Sequence, residues 1–116
     1  MSEGLKDDGG KVCMDLLSPS ALVGTARVLT HGAVKYGDNN WMLGLDYSRV
    51  YAALQRHLNA FWDPEESDLD GEWGIHHLHH AACCLMFLQH YEEHRQNYAN
   101  FDDRFQYENS TDPADS

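Results

Sequence analysis

Positive charge is scarce in this chain. Its 116 residues hold 8 Lys and Arg against 19 Asp and Glu, for a formal net charge of −11. A nucleic-acid binder working through bulk charge needs clustered Lys and Arg to neutralise phosphates, so that class is excluded. Attraction to an anionic membrane is disfavoured on the same ground. Long apolar runs are missing too: no stretch approaches the roughly 20 residues of a membrane span. The three cysteines, Cys13, Cys83 and Cys84, form an odd set with one adjacent pair and no CxxC spacing. That excludes a disulfide framework and a thiolate zinc site, and predicts reduced thiols in a cytoplasmic protein. A Cys–His catalytic pair is disfavoured because Cys83 and Cys84 sit in an apolar run, where burial raises the thiol pKa. Phosphate loops of the GxxxxGK[ST] and GxGxxG types are absent, as is the GxSxG elbow. The start of the chain is charged and lacks an apolar run, so no secretory leader is expected.

What is present is unevenly placed. Residues 1–62 balance six acids with six bases. Residues 63–72 hold six acids (Asp63, Glu65, Glu66, Asp68, Asp70, Glu72) and no base. Residues 73–91 hold no Asp, Glu, Lys or Arg, yet contain His76, His77, His79 and His80. Residues 92–116 hold seven acids and two bases. The negative excess is therefore a short loop beside a His-rich segment, plus an acidic tail. The length fits one domain, with a flexible N-terminus over 1–10, a helical domain over 11–98 and a mobile acidic tail over 99–116.

The apolar periodicity predicts an all-α fold of three main helices in a small bundle. Ser18 is a good N-cap and Pro19 a good first helical residue. Leu22, Ala26, Leu29 and Ala33, with Val23 alongside, give the first helix one apolar stripe. It should end at Lys35 or Tyr36, with Gly37 as a left-handed stop. Asp46 or Ser48 can cap a second helix reaching Trp62, with Val50, Leu54, Leu58 and Phe61 as its stripe. The third should begin near Gly74 and run to about Tyr98. It is apolar over much of its circumference, and such a helix should be buried on more than one face. That predicts a core completed by homo-oligomerisation, as a dimer or tetramer.

Three constellations can carry chemistry. The first is the stretch 63–80, where carboxylates abut imidazoles. Dense carboxylates suit Mg²⁺ and Mn²⁺, and imidazole tilts the choice toward Mn²⁺ and later metals. His77 and His80, three apart, project from one helix face. The bland alternative is a solvated loop followed by surface histidines. The second is His57 beside Arg56. Alone it reads as a core histidine satisfied by a hydrogen bond, and with His77 and His80 it is placed to face them across a helix pair. The third is the Lys35-Tyr36-Gly37-Asp38-Asn39-Asn40-Trp41 string. Lys35 offers a phosphate ligand, Asn40 an amide and Trp41 a stacking surface. Alternatively this is a helix end followed by a loop pinned by a core Trp.

These strings also carry a resemblance. D-L-L-S-P-S-A-L from Asp15, A-R-V-L-T-H-G-A-V-K-Y-G-D-N-N-W over 26–41, Y-S-R-V-Y-A-A-L-Q-R-H-L over 47–58 and E-W-G-I-H-H-L-H-H-A-A-C-C-L-M-F-L over 72–88 resemble the phage dATP/dGTP diphosphohydrolase N-terminal domain. That family is grouped with MazG-like all-α nucleotide pyrophosphohydrolases. The paired E-E-x-x-E and E-x-x-D motifs of typical MazG-like enzymes do not occur here: Glu92-Glu93 is followed by Gln96, and residues 19–36 hold no acid. The resemblance implies metal-dependent hydrolysis of a purine deoxynucleoside triphosphate, dGTP or dATP, to the monophosphate and pyrophosphate. It implies a location in the host cytoplasm. It marks Lys35, Asn40, Trp41, Arg56, His57, Glu72, His77 and His80 as family-pattern positions, with His76 and His79 peripheral. On this reading Asp70, Glu72, His77 and His80 hold Mg²⁺ or Mn²⁺, and Glu72, His77 and His57 act on the water. Lys35, Asn40, Trp41 and Arg56 bind the nucleotide. Which of Glu65, Glu66, Asp68 and Asp70 is a ligand stays open. Two alternatives remain: a module that sequesters nucleotides without hydrolysis, and an acidic host-interaction protein working through its tail.

Overall fold

A computed structural model describes residues 3–107. The chain is all-α. Its helices are α1 (Pro19–Tyr36), α2 (Tyr47–Trp62), α3 (His77–Glu93) and the short α4 (Arg95–Tyr98), with 3₁₀ turns at Met14–Leu16, Asn40–Leu43 and Ala99–Phe101. The one strand-like pairing among the described residues is an isolated antiparallel bridge between Leu69 and His76.

α1 starts as its sequence dictates. Ser18 Oγ accepts the Ala21 N–H at 3.3 Å and Pro19 opens the first turn. Gly37 ends it with φ 92° and ψ 156°, a positive φ but not the left-handed helical conformation expected, and its N–H donates to Ala33 O at 2.8 Å. The buried face of α1 also differs from the expected stripe. Gly24 and Val28 are buried, while Leu22 and Val23 are 51% and 55% exposed. The reason is that α1 meets α3 at Gly24, where a Cβ would overlap the His79 ring. The missing side chain sets the contact, and a stripe counted from apolar side chains does not register it.

α2 has Asp46 at its N-cap, but that side chain makes no capping bond. The carboxylate of Asp103 does so instead: it accepts from Ser48 N at 2.8 Å and from Ser48 Oγ. α3 begins at His77 rather than near Gly74, because residues 70–75 form a turn closed by Asp70 N–H to Ile75 O (2.9 Å), with Gly74 at φ 69°. His76 caps the helix, accepting the Leu78 N–H at Nδ1 over 3.0 Å. The stretch expected to reach Tyr98 unbroken is divided at His94, with α4 beyond.

α3 is the centre of the fold. It packs against α2 and α1, which touch each other little. Tyr47, Val50, Tyr91 and Tyr98 form one buried cluster, and Val28, Ile75 and Cys83 a second; Phe87 packs against both. α3's apolar circumference is thus covered on two sides by its own chain. Burial pushes the Cys83 thiol up to about 12 and raises that of Cys84, as expected of inert thiols. No helix of the described residues is long and apolar enough to cross a membrane. Of the acidic stretch 99–116, residues 108–116 lie outside the described residues.

Candidate functional site

Because α1 and α2 lean on α3 and touch each other little, a cavity of about 1040 Å³ opens between them. Eight of the sequence-marked residues line it: Lys35, Asn40, Trp41, Arg56, His57, Asp70, Glu72 and His80. Lys35 comes from the last turn of α1, Arg56 and His57 from α2, and His80 from α3. Asn40 and Trp41 come from the 3₁₀ turn between α1 and α2, and Asp70 and Glu72 from the turn before α3. His77 does not line the cavity but stands behind it, its Nδ1 2.9 Å from His57 Nδ1. In that contact one nitrogen must carry the proton and the other must accept it.

Four aromatic rings tie the helices together at the cavity's back. His31 stacks on Trp73 (5.2 Å between centroids), Trp73 on His80 (5.8 Å), and His80 on His57 (4.4 Å, 6° between planes). Burial, followed by the proximity of His80, His77 and Arg56, lowers the His57 pKa to about 4, so His57 is neutral at pH 7.

Asp70 is the most committed side chain of the site. Its Oδ1 accepts from Ile75 N (2.7 Å) and faces His80 Nε2 (3.1 Å), while Oδ2 accepts from Trp73 N (2.8 Å) and Glu72 N (3.0 Å). Burial alone would raise its pKa. The backbone donors and His80 outweigh that and hold the carboxyl well below the usual range. Glu72 instead points at Lys35, with Oε1 3.2 Å from Nζ. Tyr36 and Glu72 both raise the Lys35 pKa, so its ammonium is secure at neutral pH.

The proposed ligand set Asp70, Glu72, His77 and His80 is therefore not drawn together. Asp70 spends its lone pairs on a turn, Glu72 faces Lys35 and His77 faces His57. Among the described residues no three His, Cys, Asp or Glu side chains converge on a metal-holding point. These residues, as placed, do not fit a ready-made cation site.

Trp41 is a core residue as well as a lining one. One face stacks on Phe87 at 4.8 Å, and its carbonyl accepts the Tyr91 hydroxyl at 2.6 Å. The cavity also holds residues not singled out from sequence, chiefly Arg49 and Trp73. Arg49 lies one helical repeat of seven before Arg56, so the two share a face of α2, a spacing that could have found it. Three of the chain's 8 basic residues, Lys35, Arg49 and Arg56, thus border one cavity.

No solved structure matches the chain. A protein named dATP/dGTP diphosphohydrolase from Salmonella phage PMBT28 is 41% identical over 85 residues, which is 73% of this chain and 28% of that protein. The chain thus spans less than a third of that relative's length. The family described as dATP/dGTP diphosphohydrolase, N-terminal, matches residues 1–104. With nearly its whole length matched, the chain belongs to the dATP/dGTP diphosphohydrolase N-terminal family.

Proposed function

We propose that the cavity between α1 and α2 binds a purine deoxynucleoside triphosphate, dGTP or dATP, and that the family's activity is its hydrolysis to monophosphate and pyrophosphate. The observation that carries this reading is the convergence of Lys35, Arg49 and Arg56 on one large cavity in a chain of net charge −11. Lys35 and Arg56 hold phosphate oxygens, Lys35 exchanging Glu72 for the substrate. Asn40 and Trp41 lie at the nucleoside end. Water attacks the α-phosphorus, the bond from that phosphorus to the bridging oxygen breaks, and pyrophosphate leaves with the bond's electron pair. His57 is neutral before substrate arrives. The triphosphate's negative charge raises its proton affinity, which suits it to take the water's proton. Mg²⁺ or Mn²⁺ belongs to the proposal as the companion of the triphosphate, whose charge it neutralises. The setting is the cytoplasmic nucleotide pool, and the assembly a homo-oligomer.

The test is incubation with dGTP, dATP and pyrimidine triphosphates plus Mg²⁺ or Mn²⁺, with products separated by ion exchange and affinities measured by calorimetry. Expected are dGMP or dAMP with pyrophosphate, binding that is lost in EDTA, and an affinity about tenfold lower in Arg56→Ala, as loss of a charge-assisted contact implies. Unchanged affinity in Arg56→Ala overturns the assignment of the cavity, and undiminished binding in EDTA overturns the role of the cation. Binding without product selects the second reading, sequestration without hydrolysis. The engagement of Asp70 by its own turn favours that second reading.

A further inference from the structure

The nucleoside end of the cavity is built by residues 37–46, which connect α1 to α2. This segment is held from outside the cavity by residues far along the chain. Tyr91 donates its hydroxyl to Trp41 O (2.6 Å) and Tyr98 donates its own to Met42 O (2.7 Å). Gly44, at φ 107°, leaves a notch filled by the Phe101 ring, where a Cβ would overlap it. Asp103 caps the first turn of α2 through Ser48. The segment 98–104 is in turn fixed by Asp102, whose carboxylate is 4% exposed and accepts from Arg95 (3.0 Å) and Arg104 (2.7 Å). Arg95 also reaches Glu92 (2.6 Å), which accepts the Tyr47 hydroxyl at 3.0 Å.

From these contacts we infer that residues 98–104 form a strap that positions the 37–46 segment. In this role Tyr98, Phe101 and Asp103 are positioning residues for the nucleoside half of the ligand. None of the three lines the cavity. They act through Met42, Gly44 and Ser48. The phosphate half depends on them less, since Lys35 stands on α1 and Arg56 lies about two turns of α2 beyond the Asp103 cap at Ser48. The Arg95–Asp102–Arg104 group explains why two of the chain's 8 basic residues lie in its acidic last quarter: they brace the strap. This inference rests on the nucleotide reading of the cavity.

The test separates the two halves of the ligand. Hydrogen exchange over 37–46 and affinities for dGTP and for inorganic tripolyphosphate are measured in wild type, Asp103→Ala, Asp103→Asn and Tyr98→Phe. In Tyr98→Phe, which removes the bond to Met42 O, and in Asp103→Ala, which frees the first turn of α2 at Ser48, the 37–46 amides should exchange faster while those of α3 do not. Affinity of Asp103→Ala for dGTP should fall about three- to tenfold, the loss of roughly one solvent-exposed charge-assisted bond, and affinity for tripolyphosphate should stay within about twofold. Asp103→Asn, which keeps one acceptor for Ser48 N, should recover part of the loss, and Tyr98→Phe should share the pattern more weakly. Unchanged exchange over 37–46 overturns the strap. Faster exchange with dGTP and tripolyphosphate weakened in parallel overturns its role at the nucleoside end. A wild type that binds neither ligand overturns the nucleotide reading and this role together, and that outcome is visible in the wild-type measurement alone.

Discussion

A carboxylate and an imidazole show what individual residues contribute to this site. Asp70 has the sequence context of a metal ligand, six acids in ten residues beside four histidines, but its geometry is that of a turn-former. Nothing in the order of residues distinguishes an acid that accepts three N–H groups from the turn that follows it from one that waits for a cation. His57 is more legible. Its place beside the stripe of α2 put it across from His77 and His80, and it lies against both. Its burial has a measurable consequence. The unfolded histidine protonates near 6.5 and the folded one near 4. Between those values the unfolded chain binds more protons, so stability falls as pH falls through that window. Asp70 acts lower down: its carboxyl is held below the ordinary 3.8, so its contribution is present above that value and lost beneath it. Melting temperature followed from pH 7 to 4.5 should therefore drop, with a contribution from His57 on the order of 1–2 kcal/mol after discounting for its partial exposure. His57→Gln should flatten the curve, and an equally steep curve in that variant removes His57 as the cause.

Helix boundaries followed the sequence wherever a local signal settled them. α1 runs from Pro19 to Tyr36 and α2 ends at Trp62, set by Ser18-Pro19, by Gly37 and by Asp63-Pro64 respectively. α3 starts later than composition suggests because Gly74 and Ile75 belong by composition to the apolar run, while Asp70 recruits their backbone into a turn. The cap of α2 could not be read at all, since its acceptor lies 55 residues away. Packing of α1 on α3 was hidden for a different reason: the key residue is a glycine. Two histidines outside the family pattern have structural roles here. His76 caps α3 and His79 fills the notch at Gly24. Gly24→Ala gives a sharp test. Alanine favours the helix by about 1 kcal/mol, but its Cβ overlaps the His79 ring, and overpacking costs roughly 1–3 kcal/mol. Denaturant unfolding should show net destabilisation of about 1 kcal/mol, and in a His79→Ala background the same change should be neutral or stabilising. The same destabilisation in both backgrounds removes His79 as the origin of the cost.

For the molecule as a whole, charge and apolar surface lead to different expectations, and their balance determines assembly. The expectation of a partner came from α3, which its own chain covers on two sides while Leu78 and Leu85 stay 39% and 48% exposed. More exposed apolar surface lies on the other two helices. Leu22, Val23 and Val34 on α1 are 51%, 55% and 89% exposed, Tyr51 and Trp62 on α2 are 56% and 83% exposed, and the space between the two helices measures about 1040 Å³. That volume is at the upper end of small-molecule pockets, which run to roughly 1,000 Å³, so it can seat a nucleotide and leave apolar wall to be covered. Burying such a face in a second copy stabilises by roughly 25 cal/mol per Å² of apolar surface. Each copy brings a net charge of −11, and like charges repel over about 10 Å at 0.1 M salt. Association should therefore be promoted by salt, the opposite of an interface built on ion pairs. Light scattering after gel filtration should give at least twice the 13.2 kDa chain mass, with the larger species favoured as salt rises. Val23→Glu should return the protein to a monomer of unchanged helical content. A wild type that stays monomeric at high salt and micromolar concentration shows that this face is not a self-association surface. A dimer that dissociates as salt rises shows instead that ion pairs rather than apolar burial join the copies.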